Sequence, residues 1–127
     1  MRGVRSRCHL VYALAPSGVS ARAANDLLNE YVADASRGLA VWHDHFVGDH
    51  GGAVVLDVRD ADEEARLGDP RPLDGWQLNI YPLTFSLSAV GFSAQTSFTL
   101  EQYRDVSLEK LSAAETDDPR YWWRRSA

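Results

Sequence analysis

Leu39-Ala40-Val41-Trp42-His43-Asp44-His45-Phe46-Val47 is followed by Gly48-Asp49-His50-Gly51-Gly52 and then by Ala53-Val54-Val55-Leu56-Asp57-Val58. Two apolar runs of strand length meet across a glycine-rich break of hairpin length. They predict two antiparallel strands, over 39–47 and 53–58. Side chains alternate along a strand, so His43 and His45 share one face and Asp44 takes the other.

Upstream, Cys8–Ala15 reads as a first strand, stopped by Pro16-Ser17-Gly18. Ser20 can cap a helix striped by Ala21, Ala24, Leu28, Tyr31, Val32 and Ala35, all at helical spacing. Gly38 suits a left-handed C-terminal cap. Downstream of the hairpin, Asp60 can cap a short helix over Ala61–Leu67, with acidic residues in its first turn where the macrodipole favours them. The break at Gly68-Asp69-Pro70-Arg71-Pro72 leads to Trp76-Gln77-Leu78-Asn79-Ile80-Tyr81, which alternates and reads as a fourth strand.

The order strand-helix-strand-strand-helix-strand predicts an α+β domain of the ferredoxin-like, split βαβ kind. A four-stranded antiparallel sheet then carries both helices on one face, and its other face must be covered or wet. The chain divides into a loose N-terminus over 1–7, a ferredoxin-like domain over 8–85 and a C-terminal extension over 86–127. After Pro82, Leu83–Phe98 is rich in Ser and Thr and interrupted by Gly91, which fits an added strand or an irregular arm. Thr99-Leu100-Glu101-Gln102 resembles a capping box and predicts a helix near 100–113. Trp122 and Trp123 are expected to pack onto their own domain or onto a sister subunit.

A chain of 127 residues implies one domain and one core, burying roughly two-thirds of its unfolded surface. The formal charge of -5 argues against a nucleic-acid partner. The basic clusters Arg2, Arg5, Arg7 and Arg120, Arg124, Arg125 sit at the chain ends and read as solvated termini. Cys8 is the one cysteine, so no intramolecular disulfide forms, which fits a reducing cytoplasm. No apolar run approaches bilayer length and no signal peptide is evident, so the expectation is a soluble cytoplasmic protein without a membrane partner.

The element order, the length and the segment Asp69-Pro70-Arg71-Pro72-Leu73-Asp74-Gly75-Trp76 before the last strand resemble the dimeric α+β barrel proteins. That group includes YCII-related proteins, muconolactone isomerases and antibiotic-biosynthesis monooxygenases. The resemblance covers residues 8–85. It implies a homodimer in which two sheets pack face to face around a pocket. The group spans many chemistries, so the resemblance carries over no catalytic residue.

Candidate chemistry centres on the histidines. A metal site needs three or four converging ligands, and the chain offers His43 and His45, with His9, His50 or Asp57 as additions whose faces are open. The expectation is therefore no bound metal and no cofactor. General acid–base work is the second reading, with His43 or His45 moving a proton and Asp57 orienting it across the hairpin. Counting back from a five-residue turn places Asp57 near 43–45. Tyr12, Trp42, Trp76 and Tyr81 could line such a pocket or simply fill the core. The glycine-rich break lacks the pattern of a phosphate loop, and Cys8 cannot use the adjacent His9 as a base because strand neighbours face opposite ways. Ser86, Ser88, Ser93 and Ser97 form no nucleophile elbow. The uncovered sheet face and the resemblance lead to the expectation of a homodimer that binds a small, partly apolar ligand, with cofactor-free acid–base chemistry at His43, His45 and Asp57 as its candidate activity. The alternative is a structural or interaction module without catalytic activity.

Overall fold

A computed structural model describes residues 7–115. In chain order it contains β1 (Arg7–Leu14), α1 (Ala21–Ala33), a 3-10 turn (Ala35–Arg37), β2 (Leu39–His45), β3 (Gly51–Val58), α2 (Ala61–Leu67), β4 (Gln77–Pro82), α3 (Ala89–Arg104) and α4 (Leu108–Glu115). The strands form one antiparallel sheet in the order β2-β3-β1-β4. Strand β3 thus lies between β1 and β2, which α1 connects. This α+β arrangement is consistent with the ferredoxin-like split βαβ. The chain falls into two compact units that divide between Phe92 and Ser93.

Alternation along the central strands builds the core. Val11 and Ala13 of β1 and Val54, Leu56 and Val58 of β3 point to one side. There they join Leu28 and Tyr31 of α1, Leu67 of α2 and Leu73. Leu78 and Ile80 of β4 pack against the same cluster. Each large apolar side chain buried this way contributes roughly 1.5–3 kcal/mol. We call this side of the sheet the closed face.

Helix α1 begins at Ser20, whose Oγ accepts the Ala23 N–H at 3.1 Å. Its buried stripe is narrower than predicted. Ala24, Leu28 and Tyr31 are buried, Ala21 is exposed, and Ala35 falls beyond the helix in the 3-10 turn. Gly52 lets the helix come close: a Cβ there would lie 2.6 Å from Leu28 Cδ2. Gly38 ends the 3-10 turn at φ 113°, a conformation that favours glycine. Asp60 caps α2 by accepting the Glu63 N–H at 2.9 Å.

Arg37, a charged residue with no local signal for burial, is 1 % exposed. Its guanidinium lies 4.1 Å over the Tyr31 ring and bonds Asp34 Oδ2 at 2.8 Å. It also donates to the carbonyl oxygens of Asp69, at 3.0 Å, and Arg71. One buried cation thereby ties the end of α1 to the segment between α2 and β4. Ser36 first, and then Arg37, hold the Asp34 carboxyl below its ordinary range.

The hairpin is longer than predicted on its downstream side. Phe46 N–H donates to Gly51 O at 2.8 Å, so Gly51 and Gly52 belong to β3 and not to the turn. The C-terminal helix also differs. It starts at Ala89, breaks at 105–107 where Asp105 takes φ 51°, and resumes as α4. Ser88 caps α3 by accepting the Gly91 N–H at 3.0 Å. Thr99 caps nothing: it lies inside α3 and its hydroxyl donates back to Gln95 O at 2.9 Å. Within α4, Lys110 N–H is bonded by Ser107 Oγ at 3.1 Å. Neither α3 nor α4 buries a side chain. Trp122, Trp123 and the terminal arginine clusters, apart from Arg7, lie outside the described residues.

Candidate functional site

The second face of the sheet is the candidate site, and strand register identifies its residues. Leu10 lies opposite Val55 and Tyr81, and Tyr12 opposite Ala53 and Asn79. Trp42 lies opposite Val55, and Leu39 opposite Asp57. A shift in register between Ala40 and Trp42 keeps Trp42 on this face. No helix of the βαββαβ core covers it. Tyr12 is 38 % exposed, Trp42 45 %, Leu39 49 % and Tyr81 53 %. Tyr12 meets Phe46 with ring centroids 5.0 Å apart. Such a run of exposed apolar side chains marks an interaction or ligand surface.

The chain after β4 crosses onto this face. Leu83 N–H donates to Cys8 O at 2.9 Å, and Cys8 N–H donates to Ser86 O at 2.8 Å. Ala89, the first residue of α3, donates its N–H to Asp57 Oδ2 at 3.3 Å. Phe92 follows one turn later. The result is a hollow of about 420 Å³ with Leu10, Trp42, Ala53 and Val55 as floor and Leu83 and Phe92 as walls. Every lining side chain is apolar. The floor strands are also poor in spare polar groups, because β1 and β3 each have a hydrogen-bonded neighbour on both sides.

The predicted catalytic set does not come together. His43 and His45 share a face, with ring centroids 5.5 Å apart. That face is the closed one, since they lie opposite Val54 and Gly52. His45 Nε2 donates to Asn29 Oδ1 of α1 at 3.1 Å, because an amide oxygen can only accept. Its Nδ1 is buried without a partner. His43 is exposed at the sheet edge. Asp57 sits on the other face, opposite Leu39 and Cys8. The expected approach of Asp57 to residues 43–45 is therefore corrected. Pairing of His45 with Gly52 moves Asp57 along the hairpin to Leu39, and alternation puts it on the opposite side. Its carboxylate serves the N-terminus of α3, where negative charge is favoured.

The remaining candidates are also dispersed. His9 is buried on the closed face with β3 between it and β2, and its Nδ1–H donates to Arg7 O at 3.2 Å. His50 donates from Nδ1 to Val19 O at 2.6 Å. It lines a wider cleft of about 550 Å³ between 14–19 and 48–50, whose lining is mostly turn residues. Cys8 is fully buried; burial first, and the charge of Asp57 second, push its thiol up and keep it protonated. Among the described residues, no three His, Cys, Asp or Glu side chains converge as metal ligands.

Leu83 and Phe92 were the site residues hidden in the sequence. The available signal was Ser88 with Gly91 three residues on, a cap position that places Phe92 in the first turn of a helix. Comparison of the chain with family models, with curated proteins and with solved structures finds no match.

Proposed function

We propose that this protein is a homodimer that binds a small, largely apolar molecule, with the open sheet faces of two copies closing over the hollow as in a dimeric α+β barrel. The observation that carries the reading is the open face itself. It presents Tyr12, Leu39, Trp42 and Tyr81 around a hollow whose lining is wholly apolar. A second sheet laid on that face removes those side chains from water, at roughly 25 cal/mol per Å² of apolar surface. The reading is one of binding. Histidine acid–base chemistry is not part of it, because His43 and His45 face the opposite layer. A cytoplasmic setting belongs to the same proposal and rests on Cys8 being the single cysteine.

Light scattering tests the dimer. The expected result is twice the chain mass at micromolar concentration, and a monomeric mass for Tyr81→Lys, which sets a charge on the face outside the hollow. A monomer throughout the micromolar range would reject it. One observation favours an interaction module instead: α3 and α4 bury no side chain and expose Phe98, Tyr103 and Leu108. Under that reading, removal of residues 93–127 abolishes assembly and Tyr81→Lys leaves it intact.

A further inference from the structure

We infer that the hollow on the open face takes an uncharged aromatic molecule of a few fused rings and excludes its anionic counterparts. This rests on the proposed binding function and names the ligand class. Leu10, Trp42, Ala53, Val55, Leu83 and Phe92 offer no side-chain donor or acceptor apart from the indole N–H. A ligand with several polar groups would lose their water without replacement. Two of the six lining residues are aromatic, and the hollow of about 420 Å³ falls in the lower half of ordinary ligand pockets, which span roughly 300–1,000 Å³. Planar rings gain most from contact with Trp42 and Phe92.

The charged strand residues that share the hollow's face are Asp44, opposite Ala53, and Asp57, opposite Leu39. Both are carboxylates. Asp44 accepts the His45 N–H at 2.8 Å, and Asp57 is held at the start of α3. Arg7 reaches the strap that forms one wall, but its guanidinium is engaged by Leu83 O at 2.6 Å and Thr84 O at 3.5 Å. Among the strand residues of this face an anion therefore meets two carboxylates and no cation, since Arg7 belongs by register to the opposite face. The chain's net charge of -5 repels it further.

The test uses the full chain and two fluorescent probes that differ by one sulfonate: neutral N-phenylnaphthylamine and its anionic analogue anilinonaphthalene sulfonate. The expected result is saturable binding of the neutral probe and binding of the sulfonate weaker by at least about tenfold. Trp42→Ala and Phe92→Ala, each checked for intact circular dichroism, should weaken the neutral probe by a similar factor. Trp42 lies at a sheet edge and is nearly half exposed, so its variant keeps the fold even if that of Phe92 does not. Equal binding of both probes overturns the ligand class and leaves the apolar binding reading standing. Absence of saturable binding by either probe overturns that reading as well. Neutral binding that both variants leave unchanged overturns the hollow as the site.

Discussion

The two faces of the sheet come from the same four strands and meet opposite fates. On the closed face, Val11, Val54, Leu56 and Val58 are sealed under α1 and α2 with Leu28 and Tyr31 between them. On the open face, Leu10, Tyr12, Trp42 and Val55 alternate with those residues at the same spacing. There Leu83 and Phe92 wall a hollow over part of the face. Alternating apolar residues on both sides describe a sheet with two partners. One partner is the chain's own helices. The closed face carries the buried core, and the open face is where the proposed binding is placed, so the two should be separable by substitution.

The largest effect belongs to the closed face. Leu28→Ala should cost about 2–5 kcal/mol of unfolding free energy, read from the urea midpoint, because Leu28 is fully buried against Gly52. A loss no greater than that of an open-face alanine variant would erase the distinction. Arg37→Ala follows, at about 3 kcal/mol: it strips the donors from Asp69 O and Arg71 O and uncovers the Tyr31 ring. Unchanged stability in that variant would show that the segment after α2 needs no such tie.

The histidines test the same division, since the spacing of His43 and His45 made them candidates for a site. His45→Ala should cost about 1 kcal/mol through its bond to Asn29, and His43→Ala should stay within about 0.5 kcal/mol. Neither should alter binding of the neutral probe, since both lie on the closed face. Lost binding with unchanged melting in either variant would return chemistry to the pair.

Two smaller effects complete the series. The melting temperature should rise with protein concentration in the wild type and not in Tyr81→Lys, as mass action requires of a dimer. A concentration-independent melt would break the link between the open face and assembly. Asp34 is held below its ordinary range by Ser36 and Arg37, so its carboxylate adds stability above the unfolded value of about 4. That contribution fades as pH falls through the lower folded value. Asp34→Asn should therefore lose stability at pH 6 and differ less from wild type at low pH. An equal difference at both pH values would contradict this origin.

The strands, both short-range caps and the first two helices were legible locally. Ser20 and Asp60 stand where their side chains meet backbone donors three residues on, and such contacts need no tertiary partner. The sharing of a face by His43 and His45 was legible for the same reason, since alternation is a property of one strand. Helix α3 was obscured by Ser, Thr and Gly91, and Thr99 resembled a cap while bonding back to Gln95 within the helix. Which face the histidines take was not legible. It depends on where Gly51 and Gly52 enter β3, and a one-residue change in a hairpin reverses every side chain. Alternation, the caps at Ser20 and Asp60 and the order of elements as far as β4 could be read locally, because these follow from backbone geometry over a few residues. That Asp57 holds α3, that Arg37 ties α1 to a distant loop and that Leu83 and Phe92 wall a hollow came from the folded arrangement alone. Those roles join residues far apart in the chain, and no local spacing encodes such a meeting.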